Sequence, residues 1–114
     1  MDLEAFELVI LRRAASPPAC DEQTGVRLQR QHIAFLDSLR QTGQAVATGP
    51  LRDQADQGMR GLVVYRTGSI EEARRIAHGD PLVQAGQLEA DVMTWLCKPG
   101  TMKRPGRPVR VDDA

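Results

Sequence analysis

Between Phe6 and Leu11 the chain reads Phe-Glu-Leu-Val-Ile-Leu, followed by Arg12 and Arg13. A short, β-branched and mostly apolar run of this kind predicts a buried strand. Ser16-Pro17-Pro18 cannot continue it, because proline lacks the ladder N–H and fixes φ, so a loop is expected through about Thr24. From Gly25 to Thr42 the spacing changes. Leu28, His32, Phe35, Leu36 and Leu39 recur so that, at roughly 100° per residue, they share one stripe of a helix. Arg27, Arg30, Asp37 and Arg40 lie mostly off that stripe, and Gly43 supplies the usual C-terminal stop.

Ala45–Thr48 predicts a short strand, stopped by Gly49-Pro50, and Arg52–Gly58 a polar surface loop. Gly61–Arg66, with Leu62, Val63, Val64 and Tyr65 in a row, is the clearest strand of the chain. The short connection makes these two strands antiparallel neighbours. Ser69-Ile70-Glu71-Glu72 matches a capping box, with the helix after it ending at Gly79. Asp80–Gly86 reads as a turn-rich connector and Glu89–Cys97 as a last strand.

The order is therefore β-α-β-β-α-β, an α+β, ferredoxin-like arrangement with both helices on one face of a four-stranded sheet. Leu62 and Val64 point to one side of their strand, Val63 and Tyr65 to the other, so both sheet faces carry apolar groups. Helices cover only one. A second copy of the chain laid on the open face would cover the other, which predicts a homodimer.

A length of 114 residues suits one domain. The domain is expected over residues 1–98. Residues 99–114 form a Pro/Gly-rich basic tail, in which only Val109-Arg110-Val111 resembles a strand. Fifteen basic and fifteen acidic residues cancel, and only Phe6, Phe35, Tyr65 and Trp95 are aromatic. Both facts argue against a nucleic-acid binder, which would need excess positive charge or several stacking rings. The tail could contact RNA or a neighbouring subunit, although a solvated segment is the simpler reading. No apolar run approaches the roughly 20 residues that span a bilayer. Acidic residues stand at the start where a signal peptide needs basic ones, and two cysteines make no disulfide framework, so a cytoplasmic location is expected.

His32 is the most informative residue, since it takes a place on the apolar stripe where leucine would be cheap. A buried imidazole needs partners for its nitrogens. It is either a core histidine bonded to a backbone carbonyl or one half of a functional pair. Asp80 is either a turn aspartate accepting local N–H bonds or that pair's other half. A carboxylate on one ring nitrogen would fix the tautomer and leave the other nitrogen as a base. His78, at a helix end, is most simply a cation near the last carbonyls. Two histidines and two cysteines without close spacing argue against a metal site. No phosphate-cradling, dinucleotide or serine-hydrolase motif is present, so no cofactor is expected. Cys97 reads as core rather than nucleophile.

Gln31-His32-Ile33-Ala34-Phe35-Leu36, Gly43, Thr48-Gly49-Pro50-Leu51, Ser69–Ala73, Asp80-Pro81 with Ala85-Gly86, and Trp95 follow one another in the order and spacing of the YciI-like (YCII-related domain) family. The resemblance covers about Phe6 to Pro99. It implies a dimeric α/β barrel built of ferredoxin-like subunits. It also implies a His–Asp active-site pair, which here falls on His32 and Asp80. Two positions depart from the family pattern. Gln29 stands where an arginine is frequent, and Leu82 where an aromatic follows the proline. The family's chemistry includes removal of chloride from a chlorinated hydroxyquinol.

Taken together, the residues and the resemblance predict a small cofactor-independent enzyme. His32 would move a proton on a small cyclic or aromatic metabolite while Asp80 orients it, giving a lyase, dehydrochlorinase or isomerase. The alternative is a non-catalytic dimeric ligand-binding or accessory protein that keeps the cleft, because one fold hosts many functions.

Overall fold

A computed structural model describes residues 1–103, 107, 108 and 110. In chain order the elements are β1 (Glu4–Arg13), α1 (Glu22–Thr42), β2 (Ala45–Pro50), β3 (Met59–Tyr65), α2 (Ile70–Ala77), α3 (Pro81–Gln84) and β4 (Leu88–Cys97). The strands form one sheet in the order β2-β3-β1-β4, with every neighbouring pair antiparallel. This is the ferredoxin-like α+β arrangement expected from the order of elements.

Strand alternation splits the apolar residues between two faces, as the Leu62/Val63/Val64/Tyr65 run predicts. On the helix side Val9, Leu11, Val63 and Tyr65 meet Leu39 of α1 and Ala73, Ile76 and Ala77 of α2 in one buried cluster. On the other side Phe6, Val64 and Cys97 form a smaller cluster, with Leu8, Ala47 and Trp95 packed against it. Among the described residues no helix contributes to this second cluster, and Leu8, Ala47 and Trp95 stay only half-buried.

The differences from the expected boundaries have local causes. Helix α1 starts at Glu22 rather than Gly25, because the Asp21 carboxylate accepts from the Thr24 N–H at 2.7 Å and caps it earlier. Gly43 ends it at φ 82°, a conformation that an L side chain rarely adopts. Strand β2 runs through Gly49-Pro50 instead of stopping before them. It is an edge strand, where a missing N–H at the end costs no ladder bond. Only half of the capping box at Ser69 forms. Its hydroxyl accepts from the Glu72 N–H at 3.2 Å, but the Glu72 carboxylate turns to Arg75, and Thr67 Oγ1 takes the Ser69 N–H at 3.2 Å.

Two stretches are more ordered than the sequence suggests. The Asp80–Gly86 connector contains the single-turn helix α3, and a 3₁₀ turn spans Thr101–Lys103 at the start of the tail. Val109, Val111 and half of the basic tail lie outside the described residues. No helix among the described residues is long and apolar enough to cross a membrane.

Candidate functional site

His32 is carried in the middle of α1, on the stripe that faces the sheet and α3. Asp80 is delivered by a sharp corner. Helix α2 ends at Ala77, His78 caps it, and after Gly79 the chain turns so that Asp80, at φ −60° and ψ 128°, becomes the N-cap of α3. Pro81 follows at the first helical position, where its missing N–H is harmless. Gly79 permits the close approach of α1 to this corner. A Cβ there would lie 3.2 Å from the Ile76 carbonyl oxygen and 3.6 Å from Cε1 of Phe35, one turn along from His32.

The fold brings the two residues into direct contact. His32 Nδ1 lies 2.7 Å from Oδ2 and 2.9 Å from Oδ1 of Asp80. Asp80 Oδ1 also accepts from the Leu82 N–H at 2.9 Å, the capping bond of α3. The Asp80 side chain is 2% exposed and that of His32 12%. A carboxylate can only accept, so Nδ1 is the donating nitrogen, and in the neutral ring Nε2 carries the lone pair. Among the described residues Nε2 has no hydrogen-bond partner and no buried side-chain nitrogen or oxygen lacks one, so Nε2 reaches open space.

That space is a cleft of about 920 Å³ between α1, the ends of β1 and β3, the β2–β3 loop and α3. The volume lies in the range of small-molecule sites, roughly 300–1,000 Å³. Leu11, Ile33, Leu36, Leu51 and Leu88 supply apolar wall beside His32. Gln29 and Leu82, the two departures from the family pattern, both line it as well. Below, on the helix face of β3, Tyr65 is 1% exposed. Its burial, and secondarily the charge of Asp80, push its phenol well above the usual range.

Four arginines also border the cleft: Arg13, Arg40, Arg52 and Arg60. None of the four stands out in the sequence, because an arginine at a strand end, in a polar loop or off the apolar stripe of a helix reads as solvated. A weak signal was present in Arg12-Arg13, since neighbouring strand residues must point to opposite faces. Arg12 pairs with Asp56 at 2.9 Å, while Arg13 borders the cleft. Both cysteines are free, Cys20 exposed and Cys97 buried. Among the described residues no group of three or more His, Cys, Asp or Glu is placed to hold a metal ion.

Comparison with known proteins agrees with this fold. The chain is 36% identical over 67 residues to the uncharacterized protein YjpA of Bacillus subtilis (strain 168), a match covering 59% of this chain and 74% of that protein. Among solved structures it resembles 5-chloro-2-hydroxyhydroquinone dehydrochlorinase (TftG) from Burkholderia phenoliruptrix AC1100, in complex with 2,5-dihydroxybenzoquinone. The TM-score is 0.54 at 21% identity, over 79% of this chain and 92% of that one. It also resembles muconolactone isomerase, with a TM-score of 0.63 at 15% identity over 90% of this chain and 99% of that one. At these identities the likeness is one of fold. The sequence pattern of the YCII-related domain matches residues 9–96, most of the chain, and the protein belongs to that family.

Proposed function

We propose that the protein is a small enzyme that moves a proton on a cyclic or aromatic metabolite, with His32 as the acid–base group and Asp80 as its positioning partner. The observation that carries this reading is the His32 Nδ1–Asp80 contact, 2.7 Å long and almost buried, on a ring that also borders a 920 Å³ cleft. Asp80 holds the tautomer that leaves Nε2 free to take a proton from a substrate carbon. As the imidazolium forms, the carboxylate stabilises it without itself taking the proton.

Two outcomes share this first step. In an elimination, the electron pair of the broken C–H bond forms a new double bond and the leaving group departs with its bonding pair. In an isomerisation, the imidazolium returns the proton to a different carbon of the same molecule. The apolar walls suit a compact ring. The two structural relatives bear on the class through their names, a dehydrochlorinase with a quinone bound and a lactone isomerase.

Turnover of a panel of chlorinated, hydroxylated and lactone-bearing rings by the purified protein tests the reading. His32→Ala should lower any turnover by about 10²–10⁴-fold. Unchanged activity in that variant would place the reaction elsewhere. Binding of panel members with no turnover of any would favour an accessory ligand-binding role.

The apolar sheet face opposite the helices supports a homodimer as part of this proposal. Leu8, Ala47 and Trp95 extend the buried Phe6–Val64–Cys97 cluster toward solvent, and an exposed apolar surface of that kind is what a second copy would remove from water.

A further inference from the structure

We infer that the substrate is a small organic anion, and that Arg13 and Arg60 bind its carboxylate while the apolar wall takes its ring. The inference rests on reading this cleft as the substrate site and adds the chemical class of what enters it. The whole chain has no formal net charge, yet the cleft is bordered by four arginines and one carboxylate, that of Asp37. Asp37 is already paired with Arg40 at 3.1 Å. Arg52 stands 3.9 Å from Asp53, a loose contact between exposed side chains. Arg13 and Arg60 have no carboxylate within ion-pair distance among the described residues.

The backbone places these two arginines on purpose-built ground. The β1–β3 ladder pairs Leu11 with Gly61 and Arg12 with Met59, leaving Arg60 as the extra residue of a β-bulge. Bulges bend a strand and re-aim one side chain, and they recur beside binding sites. The bulge is pinned on both sides: the Leu51 N–H donates to the Arg60 carbonyl at 2.9 Å, and the Arg13 N–H to the Gly58 carbonyl at 2.8 Å. Gly61, next to the bulge and lining the cleft, has no side chain to fill the space, and a Cβ there would meet the Gly49 carbonyl oxygen at 3.1 Å. Two exposed arginines bordering a largely apolar cleft, with no side-chain hydrogen bond or ion pair among the described residues, match a carboxylate on a compact hydrocarbon ring. The planar guanidinium fork binds such a group through paired, charge-assisted hydrogen bonds.

Calorimetric titration of the full-length protein with benzoate, benzamide and inorganic phosphate tests the assignment. Benzoate should bind and benzamide, its neutral counterpart of similar shape, should bind at least about tenfold more weakly, the loss expected when a charge-assisted hydrogen bond is removed. Arg13→Gln and Arg60→Gln should each weaken benzoate by about tenfold or more. Arg74→Gln, on an exposed face of α2 outside the cleft, should change nothing. Equal binding of benzoate and benzamide, or indifference to Arg13→Gln and Arg60→Gln, would overturn the inference. Phosphate binding as tightly as benzoate would overturn the carboxylate-on-a-ring class. His32→Asn separates this proposal from the proton-transfer reading. That variant should lose turnover yet keep benzoate, so failure of the dyad shows in turnover and failure of the anion site shows in the titration.

Discussion

The Asp80 carboxylate is shared between His32 and the backbone of α3: it receives His32 Nδ1 at 2.7 and 2.9 Å and the Leu82 N–H at 2.9 Å. One side chain thus caps a helix and sets the tautomer of the imidazole. The geometry of the cleft and the local fold of the α2–α3 corner are coupled through it.

Asp80→Asn keeps an acceptor for the Leu82 N–H and loses the charge beside the ring. It should destabilise by about 1–2 kcal/mol, roughly the difference between a charged and a neutral hydrogen bond. Asp80→Ala removes the cap as well and should cost about 2–4 kcal/mol. Urea denaturation of both variants measures this. On a substrate, Asp80→Asn should lower kcat by about 10²-fold or more while moving KM little, because it misorients the base rather than removing a binding contact.

Tyr65 is the one tyrosine of the chain, and its phenol is pushed up from a usual value of 10.0, first by burial and then by the Asp80 charge. A group whose folded-state value is raised contributes stability that is fully present below its unfolded value. That stability drains away as pH rises from about 10 through the higher folded value. The expected outcome is a melting temperature that falls above about pH 10, with the tyrosinate ultraviolet absorption appearing together with unfolding. Tyr65→Phe should flatten this alkaline fall. A tyrosinate signal that rises in the intact fold at its ordinary pH would contradict the burial argument.

Glu7 is 3% exposed on the helix face of β1, and its carboxylate accepts from the Thr67 N–H at 2.8 Å and from the Thr67 hydroxyl. Thr67 in turn holds the Ser69 cap of α2. Glu7→Ala should destabilise by about 1–3 kcal/mol, because it leaves the half-buried Thr67 N–H without its acceptor. Glu7→Gln, which keeps an acceptor oxygen, should cost less. Chemical denaturation separates the two.

For the sheet face opposite the helices, light scattering on the wild type should report a dimer. Leu8→Glu, which puts a charge into the half-buried apolar patch, should shift it to monomer at the same concentration. The β1–β3 and β1–β4 pairing should be unaffected, since the substitution leaves the backbone of Leu8 in register opposite Val64 and Met93. A monomeric wild type would remove the homodimer from the proposal.

The order of elements was legible because each strand and helix carries its own period, from the Phe6–Leu11 run to the Leu28–Leu39 stripe. His32 stood out for a physical reason, a polar ring on an apolar stripe. Its partner could be suspected but not reached from spacing, since the contact depends on how α1 packs on the α2–α3 corner. The family resemblance joined the two residues where local patterns could not. What escaped was decided by contacts no local pattern shows, some distant in sequence and some, like that of Glu72 with Arg75, only three residues apart. The continuation of β2 through Pro50 depends on its being an edge, and the turn of the Glu72 carboxylate toward Arg75 left the capping box half made. Arg60 gave no local sign because its direction is set by a bulge, which appears only when β3 meets β1.

His32 and Asp80 stand 48 positions apart, with the whole β2–β3 hairpin and α2 between them. Neither half of the chain holds the pair. A fragment, or a partly opened form in which α1 has lifted from the α2–α3 corner, would retain most of its secondary structure and lose the contact. On the proposed proton-transfer reading, activity would be a property of the closed domain as a unit, and turnover would serve as a sensor of long-range closure that helix content alone would miss.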